Sequence, residues 1–186
     1  MSEGTFGNPT VVEEEVDILL IGGGMACCGA GFEIMRWMEG TDLTVKLVDK
    51  AAMDRSGAVA QGLSAINTYI GPEQDPADYA RMVSNDLMGI TRDDLAYDVG
   101  RHVDESVHLF EEWGLPIWKT DENGERFDGS KGMTSLKDGG KPVRSGKWQI
   151  MINGESYKWI VAEAAKKALG MDRIEERIFV VKLIND

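Results

Sequence analysis

Residues 18–31 read ILLIGGGMACCGAG: an apolar run, three glycines, then two adjacent cysteines. The run begins at residue 16, directly after three glutamates, and stops at a glycine, which is the pattern of a buried parallel strand. Residues 25–38 then predict a helix with Ala26, Ala30, Ile34, Trp37 and Met38 along one apolar face, closed by Gly40. The β-branched stretch TVKLV at 44–48 reads as a second strand that ends at Asp49. Strand, glycine turn, helix and strand make a βαβ unit with a right-handed crossover. The fold class expected is therefore α/β, Rossmann-like, with a parallel sheet and flanking helices.

Gly22-x-Gly24-x-x-Cys27 matches a dinucleotide fingerprint at its first two positions. Gly22 would make the tight turn, and Gly24 would let the backbone approach a pyrophosphate at the helix N-terminus, where Met25 and Ala26 follow. The third position needs a small residue for close helix–strand packing; Cys27 is small, and Gly29, Ala30 and Gly31 keep the next turn thin. Asp49, followed by Lys50, stands 22 residues after Cys27, where a carboxylate accepts hydrogen bonds from a ribose diol. Neighbouring cysteines bridge only with severe distortion, so no disulfide is expected. Nor is a metal site, since the remaining soft ligands, His102 and His108, lie far along the chain. Both cysteines are expected to pack.

The composition narrows the function classes. The 186 residues are 42% hydrophobic, enough for a core, and the net charge of −12 disfavours nucleic acid or an anionic membrane as partner. No apolar run nears the ~18 residues of a membrane span. The acidic start lacks the basic n-region of a signal peptide, and with two cysteines the expected compartment is the cytoplasm. Further along, helices are expected over 76–88, 93–113 and 155–169, a loop over 119–147 and a strand over 177–184. The helix at 93–113 would bury Leu95, Val99, Val103, Val107 and Phe110, and leave Glu111 and Glu112 on a solvated face.

Four further strings belong together: DKAAMDRSGAVAQGLSAINTYIG, NDLMGI, VDESVHLFEEWGLPI and KDGGKPVRSGKWQIMINGESYK. With IGGGMACCGA they resemble the flavoprotein family of fumarate reductase and succinate dehydrogenase, and within it the adenylylsulfate reductase branch, from about residue 13 to the end. The resemblance implies an FAD-binding domain over 16–186 behind an acidic tail over 1–15, truncated before the family's capping domain. It implies FAD, held without a covalent bond, because Gly57 stands where the wider family has its flavin-linked histidine. Ser56, Gly57, Ala58, Gln61, Gly62 and Ser64 would lie against the isoalloxazine ring, unless they only form a tight buried loop. Asn67 would be the catalytic candidate, its amide offered to flavin or substrate, unless it merely makes a turn.

The implied reaction is reduction of adenosine 5′-phosphosulfate to sulfite and AMP, or the reverse, through a flavin N5–sulfite adduct. The resemblance also implies an iron–sulfur beta subunit as the source of electrons, and two cysteines, too few for a cluster here, are consistent with that division of labour. Lys131, Lys137, Lys141, Arg144 and Lys147 form a basic stretch that is either an anion site or a solvated loop. Two other readings stay open: a fumarate reductase or aspartate oxidase relative, and a nucleotide-binding module without redox chemistry. A nicotinamide-dependent dehydrogenase fits the first motif and leaves RSGAVAQG unexplained.

Overall fold

The computed structural model describes residues 10–68, 75–120, 126–127 and 135–184. In chain order, β1 (Ile18–Ile21), α1 (Met25–Trp37), β2 (Val45–Asp49) and β3 (Ala65–Asn67) come first, followed by α2 (Pro76–Asp86), α3 (Asp93–Gly100) and α4 (Val103–Glu112). Then come β4 (Lys119–Thr120), β5 (Arg126–Phe127), β6 (Lys141–Pro142), β7 (Arg144–Gly146), β8 (Gln149–Met151), α5 (Gly154–Leu169) and β9 (Ile174–Glu176). The expected βαβ unit is present. β1 pairs parallel with β2 from Ile18↔Val45 to Ile21↔Val48, and β9 adds parallel on the far side of β2 through Leu47↔Ile174. The central position of β2 explains its uniform burial: Val45, Leu47, Val48 and Asp49 are all inside.

α1 and α5 pack on one another beside this sheet. Contact is close because both faces are small: Ala162 and Ala165 are buried on α5, and a Cβ on Gly31 of α1 would stand 2.8 Å from Leu169 Cδ1. The buried face of α1 carries Cys28 and Gly31; of the expected stripe Ile34 and Met38, with Met35, pack against the core, whereas Ala26 and Trp37 are exposed. The main core gathers Leu47, Met53, Val107, Ile117, Ile150 and Leu169. Each such side chain stabilises the fold by about 1.5–3 kcal/mol relative to exposure.

Three segments depart from the sequence reading. The helix expected over 93–113 is two helices. Gly100 seats against α2, where a Cβ would meet Tyr79 Cδ1 at 3.1 Å and Pro76 O at 3.2 Å, and α4 restarts after His102. The five apolar residues therefore do not share one face: Val103, Val107 and Phe110 are buried, while Leu95 and Val99 are 54% and 56% exposed. The stretch 119–147 is not simply loop; its glycines and prolines punctuate strands of two or three residues. β4 pairs antiparallel with β5 and β6, and β7–β8 joins β3 in a second sheet ordered β3-β8-β7. The last strand is Ile174–Glu176, not 177–184. Arg177 adopts φ +66 and turns the chain away, so Phe179, Val181 and Leu183 alternate without a partner strand among the described residues. Among the described residues no helix is long and apolar enough to cross a membrane.

Candidate functional site

The glycine turn begins where Gly22 N–H donates to Val48 O at 2.7 Å and the chain leaves β1 with Gly22 at φ +102. That conformation strongly favours glycine. Gly24 caps α1 without any side-chain acceptor, and the first turn holds no acid. The amides of Met25, Ala26 and Cys27 therefore have no intrahelical partner, and the positive end of the helix points out of the turn. The three glycines are small for different reasons. A Cβ on Gly23 would stand 2.6 Å from Asp49 Oδ2, so protein packing requires its absence. A Cβ on Gly24 would meet only Gly57 Cα at 3.6 Å, so the space in front of it is not needed by the chain itself.

The RSG loop forms a second wall. Ser56 Oγ donates to Asp49 Oδ1 at 3.1 Å, and Met53, fully buried, anchors the loop with its N–H donating to Glu176 Oε1 at 2.7 Å. Gly57 adopts φ 84 and ψ 169, a region open essentially to glycine, and lies directly on Gly24. Ala58 opens a short 3₁₀ turn that ends at Gln61, with Gly62 in the left-handed region as its cap. Beyond it the loop is clamped by α5. A Cβ on Gly154 would be 2.6 Å from Leu63 O, and Ser64 O accepts from Ile152 N at 3.0 Å. Asn153 caps α5, its Oδ1 accepting from the amides of Glu155 and Ser156.

Gly22, Gly24, Asp49, Ser56 and Gly57 thus converge, with Met25, Ala26 and Ala58 beside them and Lys50 exposed at the strand end. Asp49 is turned inward, 3% exposed, and its Oδ2 is a buried acceptor with no donor among the described residues. Asn67 is exposed at the end of β3 and paired with Gln149 across the second sheet.

The cysteines pack against the turn from inside. Cys27 Sγ donates to Ile21 O and Cys28 Sγ to Gly23 O, each at 3.4 Å. Burial pushes both thiols above the ordinary range, offset in part at Cys28 by Lys158. Lys158 was not singled out in the sequence, yet it is 3% exposed and donates to Gly23 O at 2.7 Å. The signal available was its spacing: positions 158, 161, 162, 165 and 169 form the buried stripe of α5, and a lysine on such a stripe calls for a partner. Tyr157, beside it, donates to Met25 Sδ at 3.1 Å, and burial raises its phenol far above the usual range.

The charged residues elsewhere do not gather at the turn. Glu111 is not part of a solvated face: it pairs with the buried Lys119 and accepts from Leu136 N at 2.9 Å. Glu112 pairs with Lys137 in the exposed position expected of it. Of the basic stretch, Lys131 lies outside the described residues, Arg144 donates to Lys147 O at 3.0 Å, and Lys147 stacks over Trp148. His102 and His108 face Glu105 and Asp104 on α4. Among the described residues no group of three or more His, Cys, Asp or Glu is placed to hold a metal ion. A cleft of about 740 Å³ runs between α1 and α4 past Met25, Trp37, His108 and Trp113, on the outer side of the helix from the turn. Its lining is mixed in charge, and it includes none of the glycines of the turn itself.

No protein-family model matches the chain. It is 63% identical, over 97% of its length, to the adenylylsulfate reductase subunit alpha of Megalodesulfovibrio gigas. It is 52% identical, with a TM-score of 0.73 over 88% of its length, to the solved adenylylsulfate reductase of Archaeoglobus fulgidus; the same figures hold for a solved adenosine-5-phosphosulfate reductase in complex with sulfite as a covalent adduct. Quinol fumarate reductase from E. coli, at 12% identity and a TM-score of 0.59, shares the fold alone. The chain spans 28% of the length of the curated relative and 24% of each adenylylsulfate reductase structure. Over nearly its whole length, then, the sequence is a relative of the adenylylsulfate reductase alpha subunits, on a mixed α/β fold whose parallel sheet is flanked by helices.

Proposed function

We propose that this chain is the FAD-binding N-terminal portion of an adenylylsulfate reductase alpha subunit, acting on adenosine 5′-phosphosulfate, sulfite and AMP with an iron–sulfur beta subunit as electron partner. The observation that supports it most is the 63% identity over 97% of the chain, alongside the packing of the RSG loop on the glycine turn. At 12% identity, fumarate reductase supports the fold and not the substrate.

The residues fit FAD. Gly22 and Gly24 leave backbone open at a helix N-terminus, where the amides of Gly24, Met25 and Ala26 suit a pyrophosphate. Asp49 Oδ2, buried and without a donor among the described residues, suits a ribose hydroxyl while Oδ1 holds Ser56, and Lys50 lies at the same strand end. Ser56, Gly57, Ala58, Gln61, Gly62 and Ser64 form a thin wall held from behind by α5, suited to a flat ring. Gly57 offers no nucleophile, so the cofactor is held without a covalent bond. When bound, the flavin supplies the two-electron redox chemistry that no side chain here provides. Asn67, exposed at the end of β3, is assigned the catalytic hydrogen bond, and the site is cytoplasmic and free of metal.

The direct test is to purify the protein that carries this chain and denature it in acid. Release of all its yellow chromophore as FAD is expected; a colourless protein that takes up no FAD would reverse the assignment in favour of a nucleotide-binding module without redox chemistry.

A further inference from the structure

The most unusual group near the turn is one the cofactor reading does not use. Lys158 is the fifth residue of α5, 3% exposed, next to Tyr157 and one turn before Val161 and Ala162. Its Nζ donates to Gly23 O at 2.7 Å and to Cys28 Sγ at 3.4 Å, and it makes no ion pair among the described residues. A buried lysine without a carboxylate is costly, so its retention calls for a task.

We infer that Lys158 is a positioning residue for the cofactor turn: it holds the Gly23 carbonyl inward so that the Gly24 N–H faces the pyrophosphate. The inference rests on the FAD reading above. The geometry follows from peptide planarity. The chain has no cis peptide bond among the described residues, and in a trans peptide the C=O and the following N–H point in opposite directions. With Gly23 O fixed toward Lys158 on the α5 side, Gly24 N–H must point the other way, away from Lys158. Gly24 N–H has no acceptor among the described residues.

A flipped peptide would put a carbonyl oxygen where the phosphate oxygens belong. Three consecutive glycines make that flip easy, because none has a Cβ to restrict its dihedrals. The Cys28 thiol, a weak donor at 3.4 Å, is a poor restraint by itself. Asp49 also limits Gly23, with Oδ2 2.6 Å from where its Cβ would be, and that same oxygen is the buried acceptor left without a donor among the described residues. Lys158 and Asp49 therefore both restrain Gly23, the first at its carbonyl and the second beside its α-carbon. The lysine charge beneath the turn also adds to the positive end of α1, which favours a bound dianion.

The test compares the holoprotein carrying this chain with its Lys158→Met variant, which keeps length and apolar volume and removes the donor. Two quantities are read: the FAD dissociation constant and the unfolding midpoint of the apoprotein. A positioning role predicts FAD binding weakened at least tenfold, with the apoprotein midpoint unchanged or raised. Unchanged affinity, or affinity and midpoint falling together, would overturn it. Should the variant not fold, hydrogen exchange on the parent decides. The Gly24 amide should exchange freely in the apoprotein and become protected when FAD is added; an amide already protected, or unaffected by FAD, overturns the inference. A parent that binds no FAD would instead sink the cofactor reading itself, and this inference with it.

Discussion

Gly57 rests on Gly24 so closely that a Cβ on Gly57 would stand 2.8 Å from Gly24 Cα, whereas a Cβ on Gly24 would find Gly57 Cα at an ordinary 3.6 Å. The asymmetry separates a glycine needed by the fold from one needed by a ligand. Gly57→Ala should destabilise the protein by about 1–3 kcal/mol through its φ of 84, and more where the backbone contact is displaced. Gly24→Ala, at φ −69, should leave the unfolding free energy within about 1 kcal/mol of the parent while FAD binding is lost. Thermal unfolding and flavin titration of the two variants measure this. Equal effects of both substitutions on stability would remove the distinction.

Asp49 has one oxygen engaged by Ser56 and one buried without a donor. A hydrogen bond to a charged acceptor contributes about 1.5–3 kcal/mol. Asp49→Ala should therefore weaken FAD about 10- to 100-fold, and Ser56→Ala much less. If the two variants bind FAD equally well, Asp49 serves only to hold the loop.

The thiols of Cys27 and Cys28 are both pushed up by burial, so at neutral pH less of each is thiolate than in a free cysteine. Iodoacetamide should modify the folded protein far more slowly than the denatured chain. Cys27→Gly and Cys28→Ala should each keep bound flavin near stoichiometric. Rapid native alkylation that abolishes activity would give these residues a chemical role instead of a packing one.

Asn67 is exposed at the end of β3, with its side chain available to a partner outside the sheet. If its amide donates to charge that develops during turnover, Asn67→Ala should lower kcat about 10²–10³-fold with bound FAD unchanged. Unchanged kcat would leave Asn67 as a strand-end residue.

Much of the site was legible in the sequence because its signals are local. Gly22, Gly24 and Asp49 are fixed by a strand, a turn and a strand in immediate succession, and each stands at the end of its element as expected. The antiparallel strands at 141–142, 144–146 and 149–151 were hidden because two or three residues are too few to show a period. The split of 93–113 turns on Gly100 meeting Tyr79, a contact between helices that no periodicity encodes. Lys158 and Gly23 are 135 residues apart, so their bond appears only once α5 is laid against α1. Gly57 was picked out for lacking a histidine; its positive φ and its contact with Gly24 are tertiary facts.

Substrate use decides between adenylylsulfate reductase and its alternatives. With ferricyanide as electron acceptor, the purified holoprotein carrying this chain, supplied with its beta subunit, should oxidise sulfite only when AMP is present. Each adenosine 5′-phosphosulfate formed should reduce two ferricyanides, one for each of the two electrons that sulfite gives up as its sulfur bonds to the AMP phosphate oxygen. Acceptor reduction driven by succinate, or by sulfite with no dependence on AMP, would contradict the adenylylsulfate reductase assignment.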